Sequence, residues 1–127
     1  MNEKEIFEIG ANCLLRVGNR FFAVVEIESE VPGVDLEVFV IIRINMETAK
    51  RLKNAGLHFC EIRNTAPRED DVTAEFKCIF ITNRQAFALF DVENDMDRAV
   101  FVRISLEEAE RALRRGAMRC TVIDARE

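Results

Sequence analysis

The side chains best suited to chemistry are His58, the four cysteines Cys13, Cys60, Cys78 and Cys120, and two arginines, Arg43 and Arg103. One histidine leaves no second imidazole for a multi-histidine metal site. His58 and Cys60 stand two apart, which places them on one face of a strand. With two distant cysteines they make, in principle, the donor set of a Cys3His zinc site. The close cysteine pairs of such sites are missing, because no CxxC occurs. Phe59 and Ile62 alternate with His58 and Cys60 in the pattern of an ordinary buried strand. Four reduced core cysteines are therefore expected, each a small buried hydrophobe. No Gly-rich turn precedes Cys60 or Cys120, so a Cys–His nucleophile has no support. We expect no metal, no cofactor and no catalytic residue.

The densest acidic cluster has carboxylates at Asp91, Glu93, Asp95 and Asp97. Hard cations take such oxygens, but a calcium loop of the EF-hand type needs Gly at its sixth position and Glu at its twelfth. Met96 and Val102 stand there, so the cluster reads as a solvated hairpin. Glu26 and Asp91 occupy matching places, and charges near strand ends commonly face water.

Arg43 and Arg103 sit on strands that are otherwise apolar. Two guanidiniums brought to one cleft bind an anion bidentately. They are the candidate ligand-binding residues, in a cleft between two halves of the chain. The plainer alternative is that each pairs with a nearby carboxylate or snorkels past its sheet edge.

Composition narrows the setting. The 127 residues are 49% hydrophobic and 32% charged, with a formal charge of −5. That apolar content excludes disorder. An acidic chain repels phosphate backbones unless its basic residues cluster. The best basic patch, Arg111, Arg114, Arg115 and Arg119, is diluted by Glu107, Glu108 and Glu110. Nucleic acid is thus disfavoured. Apolar runs such as 38–42 and 86–90 span five residues, against about 20 for a bilayer helix. Residues 1–5 are acidic, with no secretory leader pattern. A reducing cytoplasm is expected, where disulfides are rare. Trp and Tyr are absent and Phe numbers ten. Phe supplies burial without a polar handle, so it builds core.

These residues belong to a repeat. Residues 13–28 match 78–93, and residues 38–62 match 98–122, with 12 identities in 41 positions. Arg43 meets Arg103, Cys13 meets Cys78, and Cys60 meets Cys120. Met118 stands where the first copy has His58. One gap suffices, nine residues at 29–37 against four at 94–97, both at turns, which absorb insertions.

Each copy predicts strand, strand, strand, helix, strand. Segments 12–17, 21–27 and 38–44 are β-rich, as are 76–82, 86–92 and 99–104. Gly18, Asn19 and Asn83 mark turns, and Pro32-Gly33 marks the longer loop at 31–35. Ser105 and Glu108 form a capping box, and Asn45 is the matching cap. Gly56 and Gly116 stand where a helix ends left-handed. A last strand, 57–62 or 117–123, is expected to close each copy.

The third strand is apolar on both faces, Val38, Val40, Ile42 and Ile44 on one and Phe39 and Ile41 on the other. Such a strand is buried on both faces. One helix covers one side, so the other must meet a second sheet or subunit. The reading is an α+β single domain, 1–127, an internal duplication of a βββαβ unit. It has two mainly antiparallel sheets, one helix per repeat and a pseudo-two-fold axis. The repeats cover about 6–62 and 72–123, joined by a polar linker 63–71. The expected role is a non-enzymatic protein-interaction or regulatory module, acting as a homo-oligomer or on a protein partner. The alternative is a domain that binds or senses a small anionic molecule through Arg43 and Arg103.

Overall fold

The computed structural model describes residues 4, 6, 10–28, 32–33, 37–67, 73–93 and 97–126. The leader reading at 1–5, the loop at 31–35, the acidic turn at 94–96 and the end of the linker fall largely outside those residues.

The chain runs β1 (Ala11–Val17), β2 (Arg20–Glu28), β3 (Glu37–Ile44), α1 (Met46–Asn54) and β4 (Glu61–Arg63). It continues β5 (Thr73–Thr82), β6 (Gln85–Glu93), β7 (Asp97–Ile104), α2 (Leu106–Arg114) and β8 (Thr121–Asp124). The fold is α+β, with two mixed sheets and two helices. Two compact units result. One holds Met1–Phe59 with Thr121–Glu127, the other Cys60–Cys120.

In the first unit the strand order is β1-β2-β3-β8. The first three strands are antiparallel hairpin neighbours, and β8 adds parallel to β3. In the second unit the order is β4-β7-β6-β5, with β4 parallel to β7. This corrects the expected closing strands. The strand that follows α1 does not complete the sheet before it. After α1 the chain passes beside β1, where the Leu14 N–H donates to the His58 carbonyl at 2.8 Å and Phe59 bridges to Leu14. It then enters the second unit as β4. The exposed edge of β3 is taken by β8, from the far end of the chain. Short apolar strands of near-identical pattern fit either edge, so alternation alone does not choose between them.

The helix ends follow the expected chemistry. The Thr48 N–H donates to Asn45 Oδ1 at 2.8 Å, and Ser105 and Glu108 bond reciprocally. Beyond α1, Gly56 takes φ +111°, and the N–H groups of Gly56 and Leu57 donate to the carbonyls of Lys53 and Leu52. These are the two bonds of a Schellman motif.

α1 packs Ala49 and Leu52 onto Leu14, Ala23, Val25, Val40, Ile42 and Ile44. Ala109 of α2 joins Ile79, Ala86, Ala88, Val100 and Val102. The opposite sheet faces are buried too, at Leu15, Phe22, Val24, Phe39 and Ile41 in the first unit. In the second, Phe80, Phe87 and Phe101 cluster with ring centres 6.2–6.3 Å apart. The doubly apolar strands are thus buried on both faces, as expected. No helix among the described residues is long and apolar enough to cross a membrane.

The cysteine expectation is overturned. Cys78 is bonded to Cys120 across 42 residues, Cys13 and Cys60 are also disulfide-bonded, and no cysteine is free. Backbone bonds place the Cys78–Cys120 pair. Ile79 N–H donates to the Met118 carbonyl at 2.8 Å, and Cys120 N–H to the Ile79 carbonyl at 2.9 Å. A β-bulge precedes each of Cys13 and Cys78, where one extra residue re-aims the next side chain.

Candidate functional site

α1 and β1 build a pocket within the first unit. Met46, Ala49, Lys50 and Lys53 recur three and four residues apart, which aligns them on one side of the helix. Leu14 and Arg16 alternate on β1 and share a face. Phe21 lies across from Arg16 in the β1–β2 register. Phe59 arrives through its bridge to Leu14. Together with Asn54 these residues line an open pocket of about 380 Å³. Leu14 and Ala49 are buried and form its floor, while Met46 and Phe59 stand half-exposed at the rim, at 53% and 52%.

Among the described lining residues the charged ones are all cationic, Arg16, Lys50 and Lys53, beside the neutral Asn54. Arg16 lies over the Phe21 ring, 5.5 Å from its centre, and Lys53 Nζ lies 5.3 Å from the centre of Phe59. The ring quadrupole attracts each cation and holds it over the apolar wall. Arg16 Nε donates to the Gly18 carbonyl at 3.0 Å, which fixes the root of the guanidinium. Among the described residues, no Asp or Glu lines the cavity. A concave apolar surface with a few convergent polar groups is the usual form of a small-molecule site. No family model, curated protein or solved structure matches this chain. The site is therefore read from its own geometry.

The two arginines singled out in the sequence occupy the same place in their own units. Arg43 pairs with Phe22 and with Asp124, and Arg103 pairs with Phe87. Partial burial lowers the Arg43 pKa, Arg126 and Arg20 lower it further, and Asp124 opposes them. Arg103 is exposed, and its Nη1 donates to Asn64 Oδ1 at 3.3 Å. Each arginine thus has a neighbour on the added parallel strand or just beyond it. Asp124 itself is gripped by Arg126, whose Nε and Nη2 donate at 2.9 and 2.6 Å. That fork, joined by the Arg126 backbone N–H, holds the Asp124 carboxyl well below the usual carboxylate range.

His58 is exposed, and its segment makes an isolated bridge where a buried strand was expected. Disulfide-bonded sulfurs offer no thiolate, so neither the zinc set nor a Cys–His nucleophile is assembled. Asp91 is 3% exposed, which corrects its reading as a solvated strand-end charge.

Sequence reasoning passed over Arg16, Lys50, Lys53 and Phe59. Their signal lies in the differences between residues 13–62 and the segments they match at 78–122. The matching positions hold Ile81, Glu110, Leu113 and Arg119.

Proposed function

We propose that the protein is a non-enzymatic binding module whose ligand is a small molecule held in the pocket of the first unit. The single observation that carries this reading is the cavity itself, apolar below and cationic above, with aromatic walls on two sides. The chain is read as a duplicated βββαβ unit in which each repeat gives its last strand to the other's sheet. One copy then kept the plain apolar packing of Ile81 and Leu113, which lie against the second core. The other acquired the pocket.

Ligand-observed NMR with a fragment panel tests the proposal. Fragments should bind, and Phe59→Ala should weaken them, since Phe59 is exposed and its loss spares the core. Hits indifferent to Phe59→Ala would sink it.

A second reading keeps the protein-interaction role. β8 is an edge strand among the described residues, and its Val122 and Ile123 are exposed. Such an edge accepts a further strand, from a second copy or a partner. Light scattering at micromolar concentration tests it, with a dimer or larger species expected and a clean monomer counting against the homo-oligomer.

The cysteine pairs bear on location. Disulfides persist in oxidising compartments and are rare in a reducing cytoplasm. They favour an oxidising setting over the cytoplasmic one that composition suggested.

A further inference from the structure

We infer that the pocket of the first unit selects organic monoanions with a flat or aliphatic apolar body, an aryl or medium-chain carboxylate being the simplest. The inference rests on the small-molecule reading above and adds the charge and size of the ligand.

Charge is the first argument. Arg16, Lys50 and Lys53 converge on one cavity, and among the described residues no carboxylate pairs with any of them. Three cations with no counter-charge raise the local potential and favour an anion entering. Charge-assisted hydrogen bonds from such groups to a carboxylate are the strong ones. The two cation–π contacts leave donors available. Arg16 uses Nε on Gly18, and its stacking on Phe21 consumes neither terminal nitrogen. Lys53 keeps three N–H donors over Phe59.

Shape is the second argument. Leu14, Phe21, Met46, Ala49 and Phe59 supply most of the wall, and inorganic anions gain nothing from burial against them. The volume of about 380 Å³ lies near the lower end of the roughly 300–1,000 Å³ range of ligand pockets. That suits a small ligand, of the order of a naphthoate or a medium-chain fatty acid.

The second unit is an internal control. At the positions matching Arg16, Lys50 and Lys53 it carries Ile81, Glu110 and Leu113. Two cations are replaced by apolar groups and one by an anion, while Arg119 takes the place of the Phe59 wall, so the second unit has neither the three-cation set nor that aromatic wall.

2-Naphthoate and 2-naphthamide test this directly. They match in shape and differ in charge. With no Trp or Tyr in the chain, naphthalene fluorescence is read against a dark protein. Anisotropy titrations at about 150 mM salt should show 2-naphthoate bound about tenfold more tightly, because charge-assisted bonds outweigh neutral ones. Lys50→Gln with Lys53→Gln should narrow that preference toward what Arg16 alone supplies, weakening 2-naphthoate severalfold more than 2-naphthamide, since both lysines are exposed and act through charge. Phe59→Ala should weaken both. Equal affinity for the two probes in the unmodified protein, both weakened by Phe59→Ala, would overturn anion selection and leave the pocket reading standing. Binding of neither probe at millimolar concentration would overturn both.

Discussion

Arg103 donates to Asn64 where Arg43 faces Asp124, and Asn64 stands at the position that matches Asp124 in the sequence. In each unit the partner comes from the added parallel strand or the residue just after it. The neighbour differs in charge. Asp124 is a carboxylate, held at low pKa by the Arg126 fork and, to a lesser extent, by Arg43. Asn64 is neutral.

That difference makes the first unit acid-sensitive at this place. A carboxyl whose folded pKa is depressed stabilises the fold above its unfolded pKa, about 3.9. The contribution is lost as pH falls through the folded value. Asp124→Asn should therefore lower the melting temperature at pH 6 and lose its effect progressively below pH 4. Thermal melts of both proteins from pH 6 to pH 2 check this. A gap between them that stays constant over that range would show that the Arg126–Asp124 fork adds nothing through ionisation.

The Cys78–Cys120 bond joins β5 to the segment that leaves the second unit as β8. It closes a loop of 42 residues, and the chain-entropy estimate for a loop that long is about 4 kcal/mol. Cys78→Ala with Cys120→Ala should lose about that much stability in urea titrations, and reduced protein, in which Cys13 and Cys60 are freed as well, should lose more. Alkylation of the unreduced native protein should label no thiol, and intact mass should show two disulfides. Four labelled thiols in freshly prepared protein would restore the reduced-cysteine reading of the sequence.

Much of the frame was legible. Asn45, Ser105, Gly56 and Gly116 announce helix ends through local hydrogen bonds, and alternation along β3 announces burial on both faces. These are short-range signals, set by neighbours in sequence. Three features were not legible. The exchange of β4 and β8 depends on which of two similar edges is reached, and the residues of the strand do not record that. The disulfides depend on contacts made after folding, since Cys78 and Cys120 have no local spacing that marks a pair. The pocket was hidden for a different reason. Identities between the matching segments mark shared structure, as at Arg43 and Arg103. The pocket residues Arg16, Lys50, Lys53 and Phe59 are mismatches between those segments.

α1 carries five pocket residues, Met46, Ala49, Lys50, Lys53 and Asn54, so its N-terminal cap should matter for binding as well as for stability. The Asn45 side chain satisfies the Thr48 N–H at 2.8 Å. Asn45→Ala removes that acceptor and should cost about 1 kcal/mol. Asn45→Ser retains an acceptor of similar reach and should be nearly neutral, as Ser105 is at the matching position. Chemical denaturation measures the first effect. Titration with 2-naphthoate measures the second, and a weaker affinity only in the alanine variant is expected.

The hairpin between β5 and β6 stores strain that a single substitution should release. Asn83 and Arg84 both have positive φ, 49° and 60°. Two consecutive left-handed residues between paired strands form a type I′ turn, whose preferred sequence is Asn-Gly. Asn tolerates this region through its short polar side chain, but Arg pays the steric penalty of Cβ against the following carbonyl. Arg84→Gly removes that clash and adds some freedom to the unfolded chain, so the gain is partial. A net stabilisation of about 0.5–1 kcal/mol is expected in urea titrations. Arg84 is exposed, so nothing else is lost with its side chain. Arg84→Ala is the control, because alanine keeps the Cβ and should give little of the gain. A glycine variant no more stable than the alanine variant would mean that the turn adopts another geometry.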